Sequence, residues 1–161
     1  IDFSKEVDNI TITIVGDGAK LSKLKKRCFD EGLENVFFTG LVSSAMVLEY
    51  IEQADILFAQ IGPDFSSAVP TKIFEYIASG HPVLLGLPSG PAKEIFSEFQ
   101  CVEIFDTGDL ESCVAFYTKL ISTEQSAAHR QFNVDLLEKH YLREISAKKL
   151  VNVIEELGSS R

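Results

Sequence analysis

Apolar positions along the chain follow two alternating patterns. Five short runs rich in β-branched residues, typical of strands, are separated by stretches in which apolar residues recur every three or four positions, as on one face of a helix. The predicted strands lie at 10–15, 36–39, 55–61, 82–86 and 101–105. The predicted helices between them lie near 19–31, 44–54, 71–79 and 91–99. This alternation indicates βαβ units and therefore an α/β, Rossmann-like fold, a parallel sheet with helices on both faces.

Only helical patterns follow the fifth strand. Apolar residues predict three helices, near 109–122, 126–141 and 143–157. Neither a change in composition nor an internal repeat divides the chain, so residues 1–161 are interpreted as a single domain. The sequence begins without Met and enters its first strand within a few residues, which we interpret as a start inside a longer, two-domain protein.

Composition and charge exclude some classes of partner. Apolar residues make up 45% and charged residues 24%, the proportions of an ordinary soluble protein. The net charge of −9 argues against DNA or RNA as a partner, because phosphate backbones are bound by basic surfaces. The short basic run at 23–27 is interpreted as the solvated face of a helix, with contact to an anionic membrane as the alternative.

The side chains that most often bind metals or form disulfides are scattered. Cys28, Cys101 and Cys113 are far apart and form no CxxC pair, which fits a reducing, cytoplasmic compartment better than a disulfide framework. The histidines at 81, 129 and 140 are not at ligand spacing from one another and are interpreted as structural or solvent-facing. We therefore predict no metal site.

Glycines are concentrated at one kind of position. Seven of the ten fall in loops that follow a predicted strand: Gly16, Gly18, Gly40, Gly62, Gly86, Gly90 and Gly108. Such loops emerge together at the carboxyl edge of a parallel sheet, where doubly wound folds bind ligands. We interpret this edge as ligand-binding, and the alternative is that the turns alone require glycine.

The loop after the first strand, GDGAKL at 16–21, is only half of a dinucleotide-binding fingerprint. Leu21 takes the place of the third glycine, and the second strand ends in Thr39 and Gly40 without an acidic residue to bind a ribose. The GxxxxGK[ST] motif is absent as well. NAD, FAD and P-loop binding of the usual kind are therefore disfavoured.

The predicted helix at 71–79 has two different faces. Pro70 and Thr71 mark its start, and Gly80 marks its end. The positions predicted to face the core are Ile73, Phe74, Ile77 and Ala78, and those on the other face are Lys72, Glu75 and Ser79.

The amino end of this helix has the features of an anion site. Free backbone N–H groups and Lys72 form a seat for phosphate, and the small residues at 66–68 leave room for a ligand. One turn further, Glu75 is placed to accept two hydroxyl protons from a ribose, so the two features together describe a nucleoside diphosphate. The alternative is that Lys72 and Glu75 are a surface ion pair and Thr71 is a helix cap.

Four segments, in this order, resemble the C-terminal, donor-binding domain of GT-B glycosyltransferases, particularly the large retaining family 4. They are IVGDGAKLSKLKKRC (14–28), ENVFFTGLV (34–42), QADILFAQ (53–60) and PTKIFEYIASGHPVL (70–84). The last segment is the most specific and is similar to the variety found in bacterial surface-polysaccharide transferases. The resemblance covers roughly residues 10–157.

The resemblance implies a set of donor-binding residues. Glu75 matches the second glutamate of the family's E-x7-E motif, which binds the donor ribose. Ser67 occupies the first glutamate position, so the way in which the sugar is held stays open. The residues implied along the diphosphate and sugar are Ala68, Val69, Pro70 and Thr71, with Lys72 adding positive charge, and those implied beside the base are Gly40, Leu41 and Val42, with Gly16 lining the cleft.

The sequence also departs from the family. The family's donor domain normally begins one strand and one helix earlier, with an Arg/Lys pair that binds the diphosphate, and an acceptor-binding domain precedes it. None of these pieces is in the sequence. We therefore expect the chain to be inactive alone, and no catalytic residue is assigned.

The resemblance implies a retaining glycosyltransferase of the hexosyltransferase type that acts in polysaccharide or glycolipid synthesis. Its donor would be a UDP-sugar or GDP-sugar, and the missing domain would bind a glycan or lipid-linked acceptor. No metal or other cofactor is expected, because helix dipole and basic side chains stabilise the leaving diphosphate. The expected location is cytoplasmic, including the inner face of the membrane. Two rival functions remain: half of a UDP-sugar 2-epimerase, and a non-catalytic interaction module of flavodoxin-like topology.

Overall fold

The predicted alternation of strands and helices is present in the computed structural model, which describes residues 1–124, 126–142 and 145. The strands are β1 (Ile12–Val15), β2 (Val36–Gly40), β3 (Leu57–Gln60), β4 (Val83–Leu87) and β5 (Val102–Asp106). The helices are α1 (Phe3–Glu6), α2 (Leu21–Asp30), α3 (Ser44–Glu52), α4 (Thr71–Ser79), α5 (Pro91–Phe96), α6 (Leu110–Ser122) and α7 (Ala127–His140). The α/β fold with parallel strands and flanking helices is confirmed. The helix predicted at 143–157 lies outside the described residues apart from position 145.

The strands form two parallel sheets instead of the one sheet predicted. β1 pairs with β2, and β3, β4 and β5 pair in that order. Within the described residues no strand pairs with both β1 and β3, so the sheet is interrupted there. Phe37 of β2 and Phe58 of β3 remain 54% and 50% exposed, so the strands at the interruption are less covered than β4.

The short helix α1 links the two sheets and was not predicted. Its Phe3 ring packs edge-on against Tyr117 of α6, with ring centroids 5.2 Å apart. On its other side, Lys5 forms a 2.6 Å ion pair with Glu31 at the end of α2. Helix α1 therefore contacts both α2 and α6. Four residues are too few for a helical period to be recognised in the sequence.

The core lies around the three-stranded sheet. All five residues of β4 are buried, as expected for the central strand of a parallel sheet covered on both faces. One face of the sheet packs against α4, α5 and α7, and the other packs against α6. Neither of the two described core clusters contains a residue of β1, α2, β2 or α3.

Helix α4 is rotated slightly from its predicted phase. Ile73 and Ile77 are fully buried and Phe74 is half-buried against the core, as predicted. Ala78, however, is exposed, and Tyr76 packs against the core in its place. The buried stripe of α4 is therefore shifted from Ala78 toward Tyr76.

Helix α7 is fastened to the start of β5 through one buried amide. The Asn133 side chain accepts a 2.8 Å hydrogen bond from the Gln100 N–H and donates a 2.9 Å hydrogen bond to the Gln100 carbonyl. We expect Asn133→Ala to lower the free energy of unfolding by about 1–3 kcal/mol, because the N–H and the carbonyl of Gln100 lose the buried amide that pairs with both. Denaturant unfolding measures this, and the exposed Gln131→Ala on the same helix is the control. Equal effects of the two variants would contradict the anchoring role.

Candidate functional site

The carboxyl ends of β3, β4 and β5 are tied together at one edge of the larger sheet. The N–H of Ile61 donates to the Gly86 carbonyl at 2.9 Å, continuing the β3–β4 pairing past the end of β3. The Thr107 hydroxyl, just after β5, donates to the Ile61 carbonyl at 2.7 Å. The loops that follow these strands therefore begin from a fixed base, as an edge that holds a ligand requires.

The loop between β3 and α4 is more ordered than the irregular connection predicted. A 3-10 turn at Pro63–Phe65 is followed by a hydrogen bond from the Ala68 N–H to the Phe65 carbonyl at 2.9 Å. Ser67 is exposed, while the next three residues are half-buried, and Val69 packs against the core. The loop thus returns to the sheet just before α4 and presents 67–70 at its edge.

The amino end of α4 has neither feature of the alternative interpretation. Pro70 occupies the cap position, and no side chain caps the helix, so Thr71 is not a cap. Among the described ion pairs, none joins Lys72 to Glu75. Uncapped N–H groups therefore lie beside the exposed Thr71 and Lys72 side chains, and this arrangement suits an anion.

Glu75 lies one turn into α4 with an exposed side chain, so it does not point into the protein interior. In the described part of the chain it forms no hydrogen bond or ion pair. Next to it, burial raises the pKa of the Tyr76 hydroxyl, and the negative charge of Glu75 raises it further.

The residues expected beside the base lie at the end of the smaller sheet. The N–H of Gly16 donates to the Gly40 carbonyl at 3.0 Å, so the exits of β1 and β2 are in contact. Both glycines have positive φ, 118° and 70°, which side-chain-bearing residues rarely adopt. Beyond Gly40, Leu41 is 82% exposed and Val42 is half-buried. None of the described hydrogen bonds joins Gly16 or residues 40–42 to residues 67–75.

Two features of the edge were missed by the sequence analysis. Lys93 of α5 forms a 2.7 Å ion pair with Asp106 at the end of β5, which places a second lysine at this edge. Gly90, just before α5, lies directly against the backbone of Ser66 in the β3–α4 loop. The glycine pattern marked Gly90 as a loop residue, but no signal in the sequence indicated its neighbour.

The cysteines and histidines do not form a second site. Among the described residues, no group of three or more His, Cys, Asp or Glu side chains is placed to hold a metal ion. Burial raises the pKa of the Cys113 thiol to about 11 and also raises that of Cys101, so both remain protonated. The Cys101 Sγ lies 3.1 Å from His129 Nδ1, a contact that holds α7 against β5. No helix within the described residues is long and apolar enough to cross a membrane.

Parallel strands with flanking helices, and glycine-rich loops at the carboxyl ends of the strands, define the Rossmann-like class of α/β proteins. Residues 2–133 match the family model of glycosyl transferases group 1, and the chain belongs to this family. The resemblance to a GT-B donor-binding domain is thereby confirmed at the level of family and fold.

A solved structure supports the fold. The chain is similar, with a TM-score of 0.63 and 18% sequence identity, to the pneumococcal O-GlcNAc transferase GtfA, solved in complex with UDP and GlcNAc. The similarity covers 97% of this chain and 31% of GtfA, so the chain spans about a third of that protein's length. No curated protein sequence matches the chain.

Proposed function

We propose that the chain is the donor-binding domain of a glycosyltransferase and that its ligand is a nucleoside diphosphate sugar. The observation that carries the proposal is the amino end of α4, where uncapped N–H groups and Lys72 meet the exposed carboxylate of Glu75 one turn away. The uncapped N–H groups and Lys72 suit a diphosphate, and the carboxylate of Glu75 suits a pair of ribose hydroxyls. Membership of glycosyl transferases group 1 supports this interpretation over an epimerase half and over a non-catalytic module.

We also propose the nucleotide, the stereochemistry and the acceptor of this enzyme. UDP is favoured as the nucleotide because the similar GtfA was solved with UDP and GlcNAc, and a GDP-sugar is the alternative. We propose transfer with retention of configuration and without a metal, with the α4 dipole and Lys72 stabilising the leaving diphosphate. The acceptor is proposed to be a glycan or a lipid-linked molecule, bound in the cytoplasm by a separate domain.

Calorimetry with nucleotides tests the proposal. We expect UDP to bind this chain weakly, with a dissociation constant up to about 1 mM, and to bind more tightly than UMP, because the second phosphate reaches the amino end of α4. Lys72→Met should weaken UDP binding more than UMP binding and leave the thermal unfolding midpoint unchanged, since Lys72 is exposed. Lys139→Met on α7 is the matched control.

Two results would contradict parts of this proposal. Absence of binding by UDP, GDP and their sugars at millimolar concentration, in a folded sample, would contradict the donor-binding function. Equal affinities for UDP and UMP would contradict the placement of the diphosphate at α4.

A further inference from the structure

Gly90 and the loop that carries 67–70 are in unusually close contact. A Cβ atom at position 90 would overlap the carbonyl oxygen of Ser66 and would lie 3.1 Å from its carbonyl carbon. Both are backbone atoms, so no side-chain rotation relieves the overlap. Any residue other than glycine at this position must displace either the β3–α4 loop or the start of α5.

The start of α5 is better anchored than the β3–α4 loop. Ala92 and Phe96 are buried in the core, and Lys93 is paired with Asp106 of β5. In the loop, by contrast, residues 63–67 are all exposed. A larger residue at position 90 would therefore move the loop at Ser66 and Ser67, away from the sheet edge.

We infer that Gly90 is a positioning residue for the donor diphosphate, acting through the β3–α4 loop. The Ser66 backbone rests on Gly90, and this contact sets where the backbone groups of Ser67 lie before α4. Thr107 supports the other end of the same loop through its 2.7 Å hydrogen bond to the Ile61 carbonyl. The inference rests on the proposed function, because it assigns these backbone groups to the diphosphate and sugar.

The test compares UDP with UMP, which lacks the second phosphate that the β3–α4 loop is proposed to contact. In Gly90→Ala we expect the dissociation constant for UDP to rise about tenfold, the size expected for one lost charge-assisted hydrogen bond, and that for UMP to change much less. A general loss of stability would weaken both nucleotides alike and would lower the thermal unfolding midpoint in parallel. The ratio of the two affinities therefore separates positioning from destabilisation.

Two other glycine variants control for the substitution itself. Gly62→Ala lies in the same loop, where its Cβ would meet only the Phe65 ring at an ordinary 3.9 Å. Gly108→Ala lies at the same sheet edge and has a positive φ of 97°, but its Cβ would meet nothing within 4 Å. Both should keep the native ratio of UDP to UMP affinity, which excludes backbone strain alone as the cause.

Thr107→Val keeps the inference testable if Gly90→Ala does not fold. It removes the hydrogen bond to Ile61 at nearly constant volume and should change the affinity ratio in the same direction, by a smaller factor. If Gly90→Ala keeps the native ratio of UDP to UMP affinity, the inference is overturned while the donor-binding function stays intact. If only Thr107→Val folds, a native ratio in that variant has the same consequence. Failure of the native chain to bind UDP would instead contradict the proposed function.

Discussion

Phe96→Ala should lower the free energy of unfolding by about 3–5 kcal/mol, the largest stability effect that we expect from one substitution in this chain. The Phe96 side chain is completely buried and belongs to the cluster that joins α4, α5 and α7 to β4. Its ring centroid lies 5.0 Å from that of Phe74 and 6.5 Å from that of Phe99. Truncation to alanine leaves a cavity among rings that are held by neighbouring elements and cannot close around it.

Denaturant unfolding monitored by circular dichroism measures this difference. Phe29→Ala is the matched control, because Phe29 on α2 is 86% exposed and its loss should change stability by no more than about 0.5 kcal/mol. A small effect of Phe96→Ala, similar to that of Phe29→Ala, would mean that α5 is not packed into the core.

The core of the larger sheet was predictable because its strands are continuous apolar runs. The run at 82–86 became β4, whose residues Val83–Leu87 are buried on both faces. Ile73 and Ile77 were placed correctly by the helical period. Ala78 was not, because the period defines the centre of a buried stripe, whereas the edges of the stripe depend on which neighbouring elements pack there.

The interruption of the sheet could not be predicted from the pattern. Hydrophobic periodicity shows that a segment is a strand, but it does not identify the neighbour of that strand. Phe37 and Phe58 have the residue type expected of a covered strand, yet both are half-exposed, although the Phe58 ring stacks on that of Phe105. The link between the two sheets, α1, was too short to give a periodic signal.

Candidate-site residues that are close in the sequence were predicted to lie together, whereas a contact between distant residues was missed. Thr71, Lys72 and Glu75 share one helix end, so spacing alone placed them together. The hydrogen bond between Gly16 and Gly40 joins two loops that were each expected at the sheet edge. The contact of Gly90 with Ser66, by contrast, depends on the path of the β3–α4 loop, which residue types do not specify.

Glu75→Ala should weaken UDP binding by about 10–100-fold and leave thermal stability unchanged. The proposed role of Glu75 is to accept two hydrogen bonds from the ribose hydroxyls. A 10–100-fold loss corresponds to about 1.4–2.7 kcal/mol for the pair, because water competes for an exposed carboxylate. Stability should not change, because the side chain is exposed and forms no hydrogen bond or ion pair within the described residues. Calorimetry and thermal unfolding of the same samples measure the two quantities.

A sugar-modified nucleotide makes this test specific to the ribose. With 2′-deoxy-UDP one of the two hydroxyls is already missing, so Glu75→Ala should reduce its affinity much less than that of UDP. Glu52→Ala, at the exposed end of α3, is the control and should bind both nucleotides as the native chain does. Equal losses for UDP and 2′-deoxy-UDP would show that Glu75 does not act through the missing hydroxyl, and no loss for either would remove Glu75 from the site.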